Sequence, residues 1–218
     1  MRIMSLPMAA LFLTATLTSH AQDAGSTRTF EIDSDASYIR VLAWPDGPLK
    51  RFGHHHVISH HGITGGVQVG ADPLDTSFEF TLDVAGLEVD NDDERAEEGE
   101  LFEDEVPQKD KDGTRKNMLS ENLLDGENHS TVTVKSQSIE GSLDDASIVT
   151  TMMVKDQEMT VTVPATIELS DDSFIARGEF EILHGALGLS QFTAMGGALS
   201  VRDLLVLKFE ISGTAAAD

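Results

Sequence analysis

The chain of 218 residues contains no cysteine and carries a formal charge of −23, with 38 Asp and Glu against 15 Lys and Arg. So acidic a body is repelled by nucleic acid and by anionic membrane faces over a Debye length. Without disulfides its stability must come from an ordinary apolar core, and the length is sufficient for one.

The N-terminus reads as an export signal spanning residues 1–21. Arg2 gives a weakly positive start, Pro7 to Leu17 is mostly apolar, and Ser19-His20-Ala21 places small residues around a cleavage point. Cleavage there removes Arg2 alone among the charges and takes the formal charge to −24. The apolar run is too short for a membrane span, and no later stretch approaches roughly 20 continuous apolar residues. Residues 22–218 then form one domain outside the cytoplasm, periplasmic in a Gram-negative source or secreted otherwise.

Next in chain order comes a cluster of histidines. Five of the eight fall in Arg51-Phe52-Gly53-His54-His55-His56-Val57-Ile58-Ser59-His60-His61, just before an apparent strand from Ile63 to Val69. Imidazole is the commonest metal ligand and the one side chain that ordinarily titrates near neutrality. On an extended segment His54, His56 and His60 share one face, and His55 and His61 share the other. A His-x-His pair on a strand can meet one zinc ion, which makes His54, His56 and His60 the candidate metal set. The alternative is a Gly-flanked polar loop carrying exposed imidazoles, since no cysteine or nearby carboxylate completes a recognisable set.

The dominant pattern beyond this point is period two, as in half-buried antiparallel strands. Phe78, Phe80, Leu82 and Val84 alternate with polar residues, as do Val132 and Val134. Phe174, Ala176, Gly178, Phe180 and Ile182 form a third apolar face, and Leu205, Leu207, Phe209 and Ile211 a fourth. Asp46-Gly47-Pro48, Ala71-Asp72-Pro73, Ser170 to Ser173 and Gly196-Gly197 supply turn chemistry between runs. Strand–helix alternation is absent, which points to an antiparallel sandwich or barrel rather than a parallel α/β sheet. One stretch departs from this. Asp90 to Gly113 is dense in Asp and Glu, and it reads as a short helix around Glu94 to Glu98 with a mobile acidic loop, leading to a helical turn near Arg115 to Leu124. Solvation is the plain account of such a charge run, and docking of a partner is another. An EF-hand is excluded, because the sixth loop position counted from Asp90 holds Arg95 where glycine is required.

Catalytic motifs are missing. There is no Gly-x-Ser-x-Gly, no cysteine nucleophile and no phosphate-cradling glycine loop, and His184 at a strand end reads as a satisfied structural residue. No enzymatic activity and no cofactor are expected.

Three segments together carry a resemblance. These are Phe30-Glu31-Ile32-Asp33-Ser34-Asp35-Ala36-Ser37, Met118-Leu119-Ser120-Glu121-Asn122-Leu123-Leu124-Asp125 with the strand at Ser130 to Ser136, and Gly178 to Ile182 followed by Gly188-Leu189 and Gly196 to Asp203. In this order and spacing the chain resembles the YceI-like family of exported lipid-binding proteins from about Phe30 to Gly213. The acidic insertion and the His-rich segment are departures from the simplest members. The resemblance implies an all-β fold, an extended lipocalin-like eight-stranded antiparallel barrel with a short helical insertion at about residues 90–124. It also implies a long-chain isoprenoid or other amphiphile held inside the barrel as ligand. Phe78, Phe80, Leu82 and Phe174 are candidate lining residues, together with Phe180, Ile182, Leu207 and Phe209; Trp44 and Phe52 are placed near the mouth. A pyrophosphate head would have to be met locally by Lys50 and Arg51, whereas an uncharged quinone or fatty amide pays little against the acidic body. His54 or His56 is the expected hydrogen-bonding group for that head. The expected partner is a lipophilic small molecule, a homodimer is a compatible assembly, and nucleic acid and stable membrane insertion are excluded.

Overall fold

The computed structural model describes residues 27–216, so the signal-peptide reading lies outside the described residues. The chain runs through β1 (Arg28–Ile32), β2 (Tyr38–Ala43), β3 (Pro45–Asp46), β4 (His56–His60), β5 (Thr64–Val69), β6 (Thr76–Asp83) and β7 (Glu88–Val89). The helices α1 (Asp92–Glu97) and α2 (Gln108–Met118) follow. The remainder is β8 (Thr131–Ser142), β9 (Asp145–Val154), β10 (Gln157–Leu169), β11 (Ser173–Leu183), β12 (Thr193–Ala194), β13 (Leu199–Val201) and β14 (Leu204–Ala215).

These strands close into an eight-walled antiparallel barrel in the order β1-β5-β6-β8-β9-β10-β11-β14, with β14 pairing back onto β1. Three walls are broken strands. β14 pairs β1 at Gly213–Ala215 and β2 at Val206–Glu210, so β1 and β2 occupy one wall. In the same way β4 pairs β2 while β5 pairs β1, and β7 pairs β4 while β6 pairs β5. The first break is sealed by Ser37, whose hydroxyl accepts from the Ser212 amide at 3.0 Å. The short β3, β12 and β13 form a separate three-stranded sheet.

Strand alternation sorts the side chains as the period-two pattern requires. Phe174, Ile182, Leu205, Leu207 and Ile211 are buried in the interior, with Phe180 and Phe209 half-buried beside them. On β8 the parity switches, because a bulge between Ser136 and Ser138 moves the inward residues from Val132 and Val134 to Ile139.

The bend of β11 against β14 depends on two glycine–phenylalanine pairs. Gly178 lies opposite Phe209, and Gly213 opposite Phe174. A Cβ on Gly178 would meet the Pro164 carbonyl oxygen at 2.3 Å and the Phe209 ring at 2.4 Å, and one on Gly213 would meet Phe174 at 2.4 Å. Each ring therefore lies across a partner that has no side chain, a device that lets an aromatic fill the inside of a sharply curved sheet. Gly178→Ala is expected to lower unfolding stability by about 2 kcal/mol through overpacking. Gly185→Ala, where nothing lies within 4 Å of the new methyl, should stay within about 0.5 kcal/mol of the parent. Equal urea midpoints for the two variants would show that the ring–glycine fit is dispensable.

Candidate ligand chamber and its polar cap

The inward faces leave two apolar chambers along the barrel. The upper one, of about 250 Å³, runs from Leu82, Val132 and Leu205 to residues of α2 and of the segment after β11. The lower one, of about 120 Å³, is walled mainly by Phe78, Phe80, Phe174, Phe180 and Phe209. Ile39, Val134, Met152 and Leu207 line both and form the waist between them.

Of the residues singled out from sequence, Phe78, Phe80, Phe174, Phe180, Leu207 and Phe209 face the lower chamber. Leu82 and His56 face the upper one, and Leu207 reaches it too. Ile182 is buried in the main apolar cluster but does not line either chamber. Trp44 and Phe52 are corrections. Trp44 follows Leu42 on the outward phase of β2 and packs edge-on against Phe102 at 5.7 Å, outside the barrel. Phe52 is 63% exposed, with the Arg51 guanidinium 4.6 Å above its ring. His54 is also outside the chambers, with its Nε2 3.4 Å from Asp110 of α2.

The histidines separate by face as strand geometry dictates. His56 and His60 turn inward to the upper chamber. His55 lies against Phe102, and His61 Nε2 donates to Glu94 Oε1 over 2.7 Å on the outer wall. His56 and His60 are four residues apart, about 13 Å along a strand, and cannot share an ion. Among the described residues no three His, Asp or Glu side chains converge as a metal site, so His54, His56 and His60 are not brought together.

The acidic insertion is anchored to the barrel by a few buried residues while most of its side chains stay in solvent. Its Phe102 joins Leu42 and Val57 in an apolar cluster on the outer wall, and Glu94, Arg95, Phe102 and Val106 are buried. Arg40 of β2 reaches Glu97 at 2.7 Å and Glu98 at 3.2 Å, and Lys208 of β14 reaches Glu98 at 2.6 Å. Asn91 caps α1 by accepting from the amides of Asp93 and Glu94. α2 begins at Gln108, earlier than the turn expected near Arg115, directly after Pro107, which suits a helix start. It lies over the upper chamber and contributes Thr114, Asn117 and Met118 to the lining. Arg115 ties it down by donating to the Leu87 and Ala85 carbonyls.

Asp90 joins insertion and chamber. Its side chain has no exposure, and it accepts from the Val57 amide at 2.9 Å, Arg95 at 2.7 Å and His56 Nδ1 at 2.6 Å. Burial works against its charge, but His56, the Val57 amide and Arg95 outweigh burial and hold the carboxyl below the usual aspartate range. An ionised carboxylate only accepts, so His56 Nδ1 must be the donor and Nε2 is left toward the chamber, 3.3 Å from the Thr114 hydroxyl. Sequence reading missed Asp90, Thr114 and Asn117, and took His184, which also lines this chamber, for a structural residue. A carboxylate one residue beyond a two-residue strand has no motif; only its place opposite the His-rich strand reveals it.

The family model for the YceI-like domain matches residues 30–212. The chain belongs to the YceI-like family. Among solved structures, this YceI-like chain is similar to Burkholderia cenocepacia BcnA, at 16% identity and a TM-score of 0.58 over 83% of this chain and 98% of that one. It is also similar to a Campylobacter jejuni YCEI protein, at 9% identity and a TM-score of 0.52 over 73% and 85% of the two chains. At these identities the likeness is one of fold, and it agrees with the closed eight-stranded barrel. No curated protein sequence matches.

The Asp90 network fixes the sign of one pH effect. A carboxyl with a lowered folded-state pKa adds stability that is complete above the ordinary aspartate range and lost as pH falls through the folded value. Arg95→Met leaves Asp90 buried beside fewer donors, and should cost about 3–5 kcal/mol at pH 7. The difference from the parent should narrow at pH 3, where the carboxyl is closer to neutral. Urea midpoints at both pH values test this, and a gap that stays constant would mean that Arg95 acts through packing alone.

Proposed function

We propose that this YceI-like protein is an exported carrier that holds a long-chain amphiphile inside its barrel. The observation that carries the reading is the pair of apolar chambers that meet across Ile39, Val134, Met152 and Leu207, which line both. A solid-core barrel would fill this space, since protein interiors are packed to near crystal density. Each methylene moved from water into such a tube is worth about 0.8 kcal/mol, so a prenyl or acyl chain binds through contacts alone and no catalytic step is required. The apolar run at residues 7–17 supports export, and no helix among the described residues is long and apolar enough to cross a membrane.

Native mass spectrometry of the untagged protein, followed by organic extraction, tests this directly. A discrete added mass that extracts as an isoprenoid, quinone or fatty amide is expected; a protein that stays bare after incubation with such lipids would overturn the reading. Val134→Trp should obstruct the waist and exclude several methylenes from the lower chamber, weakening a long-chain ligand by about tenfold or more. A short-chain analogue confined to the upper chamber should be affected far less.

A further inference from the structure

Three histidine rings line the upper chamber, each with one nitrogen committed to an oxygen that can only accept. His56 Nδ1 is 2.6 Å from Asp90 Oδ2, His184 Nδ1 is 2.9 Å from the Asp203 carbonyl, and His60 Nε2 is 2.9 Å from the Asp83 carbonyl. A carboxylate or carbonyl oxygen cannot donate, so the proton of each neutral ring must sit on the committed nitrogen. The other nitrogen can then only accept. On His56 that nitrogen is Nε2, which takes a hydrogen bond from the Thr114 hydroxyl at 3.3 Å, so the nitrogen left for a head group is that of His184. On His184, which is buried, it is Nε2 on the ring edge away from Asp203. On His60 it is Nδ1, which has no partner and is closed off within the wall, so it offers a head group no contact. The surroundings keep His60 neutral, because burial depresses its pKa more than its bond to Asp83 raises it.

We infer that the upper chamber selects amphiphiles whose head is a hydrogen-bond donor, an alcohol, quinol or primary amide, over heads that only accept, such as a quinone, ether or phosphate. This rests on the carrier reading above and specifies the ligand class of the same tube. Thr114 and Asn117 can turn to give or take a hydrogen bond; the three pinned rings cannot without a second proton. A donor head satisfies a bare nitrogen, whereas a carbonyl or anionic head leaves lone pair facing lone pair in an apolar enclosure, where unmet polar groups are most costly. The preference among uncharged heads therefore runs toward the alcohol and amide and away from the quinone expected from net charge alone.

The test is a titration of the purified protein at pH 8.5 with dodecanol, dodecyl methyl ether and dodecyl phosphate, which share one tail. Dodecanol should bind about tenfold or more tighter than the ether, the equivalent of one satisfied buried hydrogen bond, and tighter than the phosphate. In His184→Phe, which retains a ring but no acceptor, the alcohol-to-ether ratio should fall toward one. Equal binding of alcohol and ether by the parent protein, or tightest binding of the phosphate, overturns donor selection and leaves the carrier reading intact. Binding of none of the three overturns the carrier reading and donor selection with it. Because the parent's own ratio decides the matter, a His184 variant that fails to fold does not rescue the proposal.

Discussion

A single carboxylate without solvent contact determines how the helical insertion meets the barrel. Asp90 stands at the end of β7 in a left-handed backbone conformation, φ 57°, that non-glycine residues adopt only where their surroundings demand it. Its side chain gathers an amide of β4, a guanidinium of α1 and an imidazole of the chamber wall, and its own carbonyl accepts from Lys111 of α2 at 2.6 Å. Strand β4 and the two helices of the insertion are thus all referred to one residue. An unpaired charge there would be too costly to hold, so the barrel edge, the insertion and the orientation of His56 form together or not at all.

Charge economy points the same way. The chain has 15 Lys and Arg for 38 acidic residues, yet Arg40, Arg95, Lys111, Arg115 and Lys208 all serve to attach the insertion. Arg40 and Lys208 project from the outer barrel wall, and their ammonium and guanidinium charges are held more firmly than usual. Burial opposes each charge, and the hydrogen bonds that Arg40 donates to Glu97 and Glu98 overcome it, as does the one that Lys208 donates to Glu98. An acidic sequence with exposed Asp92 and Asp93 still docks, because Glu94, Glu97 and Glu98 meet cations of the barrel and Phe102 meets an apolar seam.

The barrel was legible where one face of a strand is apolar and the other polar, as at Phe78 to Leu82 and Leu205 to Ile211. It was less legible in three places, each with a physical reason. The β9–β10 hairpin turns on Lys155 and Asp156, both with positive φ, at a position where Asn-Gly is the usual signal. The bulge at Ser136 to Ser138 reverses inside and outside within β8, which no composition rule announces. Trp44, expected near the mouth, packs on the outer wall, which is itself buried under the insertion, so an apolar residue just past β2 is satisfied there. The histidine alternation, by contrast, follows from period two alone, and what sequence could not supply was the partner on the other side of each ring.

An amphiphile in this tube has one low-energy orientation. Among the described residues the hydroxyls lining the lower chamber, on Thr76 and Thr150, donate to the carbonyls of Pro73 at 2.6 Å and Val161 at 2.9 Å. A head group placed there finds no free donor and only those two committed hydroxyls as acceptors, so it recovers little of its lost hydration. The upper chamber offers Thr114, Asn117 and the imidazole edges, roofed by α2. Tail down among the phenylalanines and head up beneath the helix is therefore the arrangement in which both ends are satisfied. It also places the polar end next to the one part of the enclosure held by polar contacts to a helix rather than by a strand ladder, where opening disrupts the fewest backbone hydrogen bonds.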